Sequence, residues 1–323
     1  MHKLIVLMLV AGVAALAALT AMPAAGKVLG PNGQIAFARY DPSIGDTVTY
    51  TANPDGRQAR PFFPGMQTGA PHWSPDGSEL ALQAGLDNPC PPCAASTIIL
   101  DPDTGGYRVL SPPDPNLSTN CSIWSRDAKR FACEVGSNDG SRNGIYTIRT
   151  SDGQGLMQIT SNPGGNDVPI DYSPDGKQLA FGRLGQDHAC GTNNALYVVN
   201  VDGSGLRRIT PWGFCDDDGS WSPDGTKIAF ASGKRLGRIY VVHPDGTGLM
   251  QIPIPVSASS GLGDVSWSPD GAKMAFILFT GRGPGTGQEG IYTANANGTD
   301  LQQVTSSPIF DHEVDWGPHP ITP

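Results

Sequence analysis

Seven carboxylates and one histidine stand in the few positions ahead of a recurring aromatic residue: Asp167, Asp216, Asp217, Asp218, Asp264, Asp311 and Glu313, with His312 among them. Acids gathered on one axis would form a negative funnel that draws in a cation or a basic segment of a partner. Oxygen donors of this kind suit a divalent cation such as Ca²⁺ or Mg²⁺, although the ordered spacing of a Ca²⁺ loop is absent. The competing use is structural, with the same carboxylates bonding backbone amides where one repeat meets the next. Two of the six corresponding segments, 68–71 and 119–122, hold no acid, so a ring of this kind is incomplete.

Other catalytic patterns are missing from the chain. There is no Gly-x-Ser-x-Gly elbow, no His-Glu-x-x-His pair and no Walker loop. Residues 285–290 match Gly-x-Gly-x-x-Gly by letter, but Ile291-Tyr292-Thr293 follows as a strand signal. A phosphate cradle needs a helix there. His188 and His312 stand alone and read as loop residues. Trp212 lies outside the repeated framework, so it is either a partner or sugar contact or a ring folded onto its own loop.

Repeats position these residues. Trp73-Ser74-Pro75-Asp76-Gly77 recurs at Tyr172, Trp221 and Trp267, with a degenerate copy at Trp124-Ser125-Arg126-Asp127-Ala128 and a truncated one at Trp316-Gly317-Pro318. Successive aromatics lie about 46–51 residues apart, a period that marks a repeat architecture. Each unit carries four short strand signals, illustrated by the aromatic itself, Ile228-Ala229-Phe230, Ile239-Tyr240-Val241-Val242 and Gln302-Gln303-Val304-Thr305. Ser-Pro-Asp-Gly fits a type I turn with glycine in the left-handed bulge position. Four antiparallel strands repeated radially make a β-propeller blade. The first signal, Ile35-Ala36-Phe37, is a second strand, and the last, Val314-Asp315-Trp316, is a first strand. Joining them completes a sixth blade and removes a free edge. The expectation is an all-β, six-bladed propeller of four-stranded antiparallel blades, closed by a composite blade from both ends.

The aromatic-Ser-Pro-Asp-Gly turn followed by an Ile-Ala-Phe-like strand resembles the TolB-type propeller repeat over essentially all of residues 31–318. Similar repeats occur in the propellers of prolyl oligopeptidases, the tricorn protease and oligogalacturonate lyases. TolB carries an α/β domain before its propeller, and here the first blade signal opens soon after the expected leader. The resemblance implies an exported propeller used for binding.

Tight turns occupy one rim and long connections the other, which makes the long-loop rim the candidate binding face. The expected function is an exported, non-enzymatic propeller that binds a protein or envelope component there. The alternative is a propeller lyase or lactonase-like hydrolase using a metal held by the channel carboxylates. Charged residues are only 16% of the chain, and the net charge of −9 argues against a nucleic-acid or anionic-membrane partner. Residues 1–26 read as a signal peptide, with Lys3 ahead of an apolar run over 4–21 and small residues at the end. Residues 27–323 then form the propeller, periplasmic or secreted and monomeric, with no membrane span left after cleavage.

Six cysteines in an exported chain read as disulfides. In the degenerate hairpin, opposed residues number symmetrically about Asp127. Cys121 then faces Cys133, at about 5.5 Å between Cα atoms. Cys190 with Cys215 on neighbouring long loops makes a second pair, and Cys90 with Cys93 closes locally.

Overall fold

The computed structural model describes residues 31–84, 96–111, 114–185, 194–214, 218–233, 236–280, 289–307 and 310–321. The expected leader, Cys90, Cys93, His188, Cys190, Cys215, Asp216 and Asp217 lie outside the described residues. Among the described residues the secondary structure is all strand and turn, with no helix.

Six four-stranded antiparallel sheets form the blades. Blade 1 is composite, with Asp311–Trp316 as its inner strand and Ile35–Asp41, Asp46–Ala52 and Arg60–Pro61 outside it. Blade 2 runs Thr68–Trp73, Leu80–Ala84, Ser96–Leu100 and Tyr107–Leu110. Blade 3 runs Leu117–Trp124, Arg130–Ser137, Gly144–Arg149 and Met157–Gln158. Blade 4 runs Asn166–Tyr172, Gln178–Leu184, Ala195–Asn200 and Arg207–Arg208. Blade 5 runs Gly219–Trp221, Ile228–Ser232, Arg238–Val242 and Met250–Gln251. Blade 6 runs Ser260–Trp267, Lys273–Thr280, Glu289–Asn295 and Gln302–Gln303. Each inner strand touches the next around a closed ring.

The second strand of each blade centres on a buried apolar triplet because both of its faces are covered there. Ile35, Ala36 and Phe37 are fully buried, as are Leu179, Ala180 and Phe181. The core is divided among the seams between blades. One cluster joins Ile123, Ala132 and Ile145 of blade 3 to Tyr172, Leu179, Phe181 and Val199 of blade 4. The repeated turn explains the Ser-x-Asp-Gly spelling. At Ser74 the Gly77 amide donates to the Ser74 carbonyl (2.9 Å), and Asp76 Oδ1 accepts from the Ser74 hydroxyl (2.8 Å) and the Ser78 amide (3.0 Å). Gly77, Gly176, Gly225 and Gly271 take φ between 70 and 74°, where a side chain is disfavoured. Ala128 holds the same place at φ 56°.

The closure follows the expected pairing, with Ile35 opposite Trp316 and Arg39 opposite Asp311. The Trp316 indole also donates to the Gly33 carbonyl at 3.0 Å. Cys121 does face Cys133, and the two are disulfide-bonded. Their Cα separation is 4.1 Å, not about 5.5 Å, closer to the spacing of a non-hydrogen-bonded pair. The route to that pairing also differs. Ser125 bonds Arg130, and Trp124 opposes Phe131, one position off the expected register. A bulge between Cys121 and Ile123 then restores it.

Candidate functional site

Every inner strand except the short one of blade 5 shows a register shift ahead of its aromatic. A bulge adds an unpaired residue and re-aims the side chains beyond it. In an unbroken strand, positions three and five before the aromatic would share a face. The bulge separates them, and that decides which acids reach the axis.

Asp167 and Asp311, five before Tyr172 and Trp316, turn into their blades. Both carboxylates are fully buried, which removes them from the expected funnel. Arg183 binds Asp167 through two parallel bonds of 2.7 Å, and Arg39 binds Asp311 at 2.6 and 2.8 Å. Fork-to-fork contacts of this kind are strong and geometrically selective. Thr160 donates its hydroxyl to Asp167 at 2.6 Å, and Thr305 likewise donates to Asp311. Each guanidinium also lies over two rings: Phe181 and Tyr197 for Arg183, Phe37 and Tyr50 for Arg39. The hydrogen bonds to the aspartates, set against burial, raise both arginines above their ordinary range.

The acids three before the aromatic do reach the axis. Asp218, Asp264 and Glu313 line a cavity of about 170 Å³ in the central channel, with Glu134, His72, Gln83 and Asn120. Asp218 is exposed. Asp264 Oδ2 accepts the Glu313 amide at 2.6 Å, and Glu313 Oε2 accepts the Ala70 amide at 2.5 Å. Three successive blades are thus linked at one level, and the expected structural use is real for these two acids. Ala70, Asp264 and Glu313 all have positive φ, at 44, 32 and 55°. Non-glycine residues in that region are strained, and such strain gathers at functional sites.

A second belt, one position before the aromatic, was not singled out from the sequence. Asp315 accepts the Trp73 amide (2.8 Å) and the Ser266 hydroxyl (2.8 Å), while Ser266 accepts the Trp316 amide (3.0 Å). Asp171 accepts the Trp221 amide (2.9 Å) and Arg126 (2.6 Å). The signal was available in the small or acidic residues beside four of the six aromatics. His312 sits 3.8 Å from Glu313 and next to Phe310. Trp212 is half exposed, with the Arg208 guanidinium 4.3 Å from its ring centre and Tyr197 nearby. It rests on its own blade and still offers a face to solvent.

Ca²⁺ needs six or more oxygens. Among the described residues no three His, Cys, Asp or Glu side chains gather closely enough to hold a metal ion. Asp264 and Glu313 also commit oxygens to backbone amides, so the described donors do not fit a divalent cation. No helix among the described residues is long and apolar enough to cross a membrane.

No protein-family profile matches the chain. It is 34% identical over 164 residues to an uncharacterized protein, Atu1656, of Agrobacterium fabrum, covering 49% of each chain. It is 32% identical over 111 residues to the Tol-Pal system protein TolB of Francisella tularensis subsp. mediasiatica, a match to 33% of this chain and 23% of that one. The chain thus spans about half or less of the curated relatives it matches. Among solved structures, TolB from Acinetobacter baumannii superposes with a TM-score of 0.68 at 19% identity, over 88% of this chain and 66% of that one. A putative TolB from Agrobacterium tumefaciens gives 0.64 at 18%, over 88% and 98%. An oligogalacturonate lyase from Vibrio parahaemolyticus gives 0.54 at 17%, over 81% and 72%. Repeat, blade count and superposition agree: the chain folds as a TolB-like six-bladed β-propeller.

Proposed function

We infer that this protein is an exported, non-enzymatic propeller that binds a protein of the cell envelope at the long-loop rim, around the mouth of its channel. The observation that carries this reading is the alignment of Asp218, Asp264 and Glu313 at one register on three consecutive blades around one cavity. A basic segment of a partner meets a preformed acidic face there, held by strained backbone that ordinary turns do not need. Trp212 adds a half-exposed aromatic on the same rim. Export is supported by the leader-like residues 1–26 and by the Cys121–Cys133 bond, which forms in oxidising compartments. The Tol-Pal system protein among its relatives makes an envelope partner the natural class.

Site-specific photo-crosslinking in the cells that make the protein tests this. A crosslinker at Trp212 and another at Asp218 should trap the same partner, while one at Met250, on the outer edge of blade 5, should trap none. Asp218→Lys should abolish the Trp212 adduct, and the adduct should fade with salt over a screening length of about 8 Å. Adducts confined to Met250, or none at the rim, would overturn the reading.

A further inference from the structure

The larger described cavity is not the channel. A groove of about 560 Å³ lies at the seam of blades 3 and 4 on the tight-turn rim, against about 170 Å³ in the channel. Small-molecule sites occupy about 300–1,000 Å³, so the seam has that size and the channel does not. Its apolar wall is made by Met157, Ile159, Tyr172 and Val201. Met157 and Val201 remain 59% and 41% exposed.

Two departures from the repeat meet in this wall. Tyr172 stands where the other five inner strands end in Trp, and Ala128 stands where Gly77, Gly176, Gly225 and Gly271 occupy the full copies of the turn. A phenol ring fills less of a seam than an indole. The groove also carries an excess of positive charge in a chain of net charge −9. Among the described residues that line it are Lys129, Arg130 and Arg149, with Asp127 as the one acid. Arg149 is engaged by Asp152, and Lys129 reaches Asp127 only at 3.6 Å while 80% exposed. Among the described residues Arg130 donates to neutral oxygens: the Thr147 hydroxyl (2.8 Å), the Thr147 carbonyl (3.0 Å) and the Gly155 carbonyl. Burial pushes the Tyr172 phenol up, and the Arg130 charge is near enough to oppose that.

We propose that the seam of blades 3 and 4 binds a small amphipathic anion, its aromatic or acyl body on Met157, Ile159, Tyr172 and Val201 and its acid group directed at Lys129 and Arg130. This site is separate from the channel mouth and does not depend on the rim partner.

Titration of the full chain with anilinonaphthalene sulfonate by fluorescence, and with decanoate by calorimetry, tests the site. One saturable site per molecule is expected for each probe. Met157→Glu replaces an exposed residue, so it should weaken binding about tenfold or more with the melting temperature unchanged, a loss of about 1.4 kcal/mol. Lys129→Gln should weaken it about two- to fivefold and flatten its salt dependence. Tyr172→Trp should close the groove, and if that variant fails to fold, Met157→Glu still decides. A folded parent without saturable binding, or equal binding in Met157→Glu, would overturn the proposal.

Discussion

At the scale of single residues, the two buried carboxylates carry the clearest energetic consequence. Asp167 and Asp311 each neutralise an arginine that is itself largely covered. Removing one partner strands a charge at a cost of about 3–5 kcal/mol, whereas removing both can be nearly neutral. Asp167→Ala should lower unfolding stability by that amount in urea, and Asp167→Ala with Arg183→Met should recover most of it. An additive double variant would assign the loss to something other than the ion pair. The sequence showed these acids and misread their direction, because a bulge cannot be seen in a string of letters. A signal was present all the same. Only blades 1 and 4 combine an acid five before the aromatic with Arg two after the Phe of the second strand, as Phe37-Ala38-Arg39 and Phe181-Gly182-Arg183. Asp264 and Glu313 were legible as channel residues, while Glu134, Asp171 and Asp315 went unread.

At the scale of elements, the turns set the response to acid. Ser137-Asn138-Asp139-Gly140 repeats the Ser-x-Asp-Gly spelling on the opposite rim. Asp139 accepts from the Ser141 hydroxyl (2.8 Å), the Ser137 hydroxyl (2.8 Å) and the Ser141 amide (3.0 Å), which bring its carboxyl down to about 2. A free aspartate titrates near ~3.9. The group therefore stabilises the fold above that value, and the contribution disappears as pH falls through about 2. Asp139→Asn should narrow the gap to the parent in melting temperature between roughly pH 4 and 2 and leave it constant above about pH 5. A gap independent of pH would remove the turn from this role. The same scale shows why Cys121 and Cys133 were found through an incorrect register. The pairing beside the turn is one position off the assumed one, and the bulge between Cys121 and Ile123 cancels the difference. Strand existence follows from apolar triplets and turn residues, but bulges arise from contacts between blades and leave little trace in one chain segment.

At the scale of the whole molecule, the tail beyond Trp316 seals the ring. Gly317 passes so near Trp73 that a Cβ there would fall 2.1 Å from the indole, and His319 stacks on the other part of the contact at 4.8 Å. The His319 ring nitrogen Nδ1 meets the Gly77 carbonyl at 2.8 Å. Gly317→Ala should therefore destabilise the propeller by about 1–3 kcal/mol through overpacking. It should also increase hydrogen exchange in Ile35–Asp41 more than in blade 4. Uniform exchange across the blades would show that the tail does not govern closure.

The composite blade also imposes a schedule on the chain. Gly33 and Trp316 are bonded across 283 positions, so the first blade to be synthesised is the last that can be completed. At about 5–20 residues per second, its three early strands wait roughly 15–60 s for their inner neighbour. During that interval Ile35–Asp41 presents an unpaired edge, and Phe37 lacks the cover it has in the finished ring. The ring is thus a clock as well as a scaffold: until the final strand arrives, the opening strands keep a free edge that only closure removes.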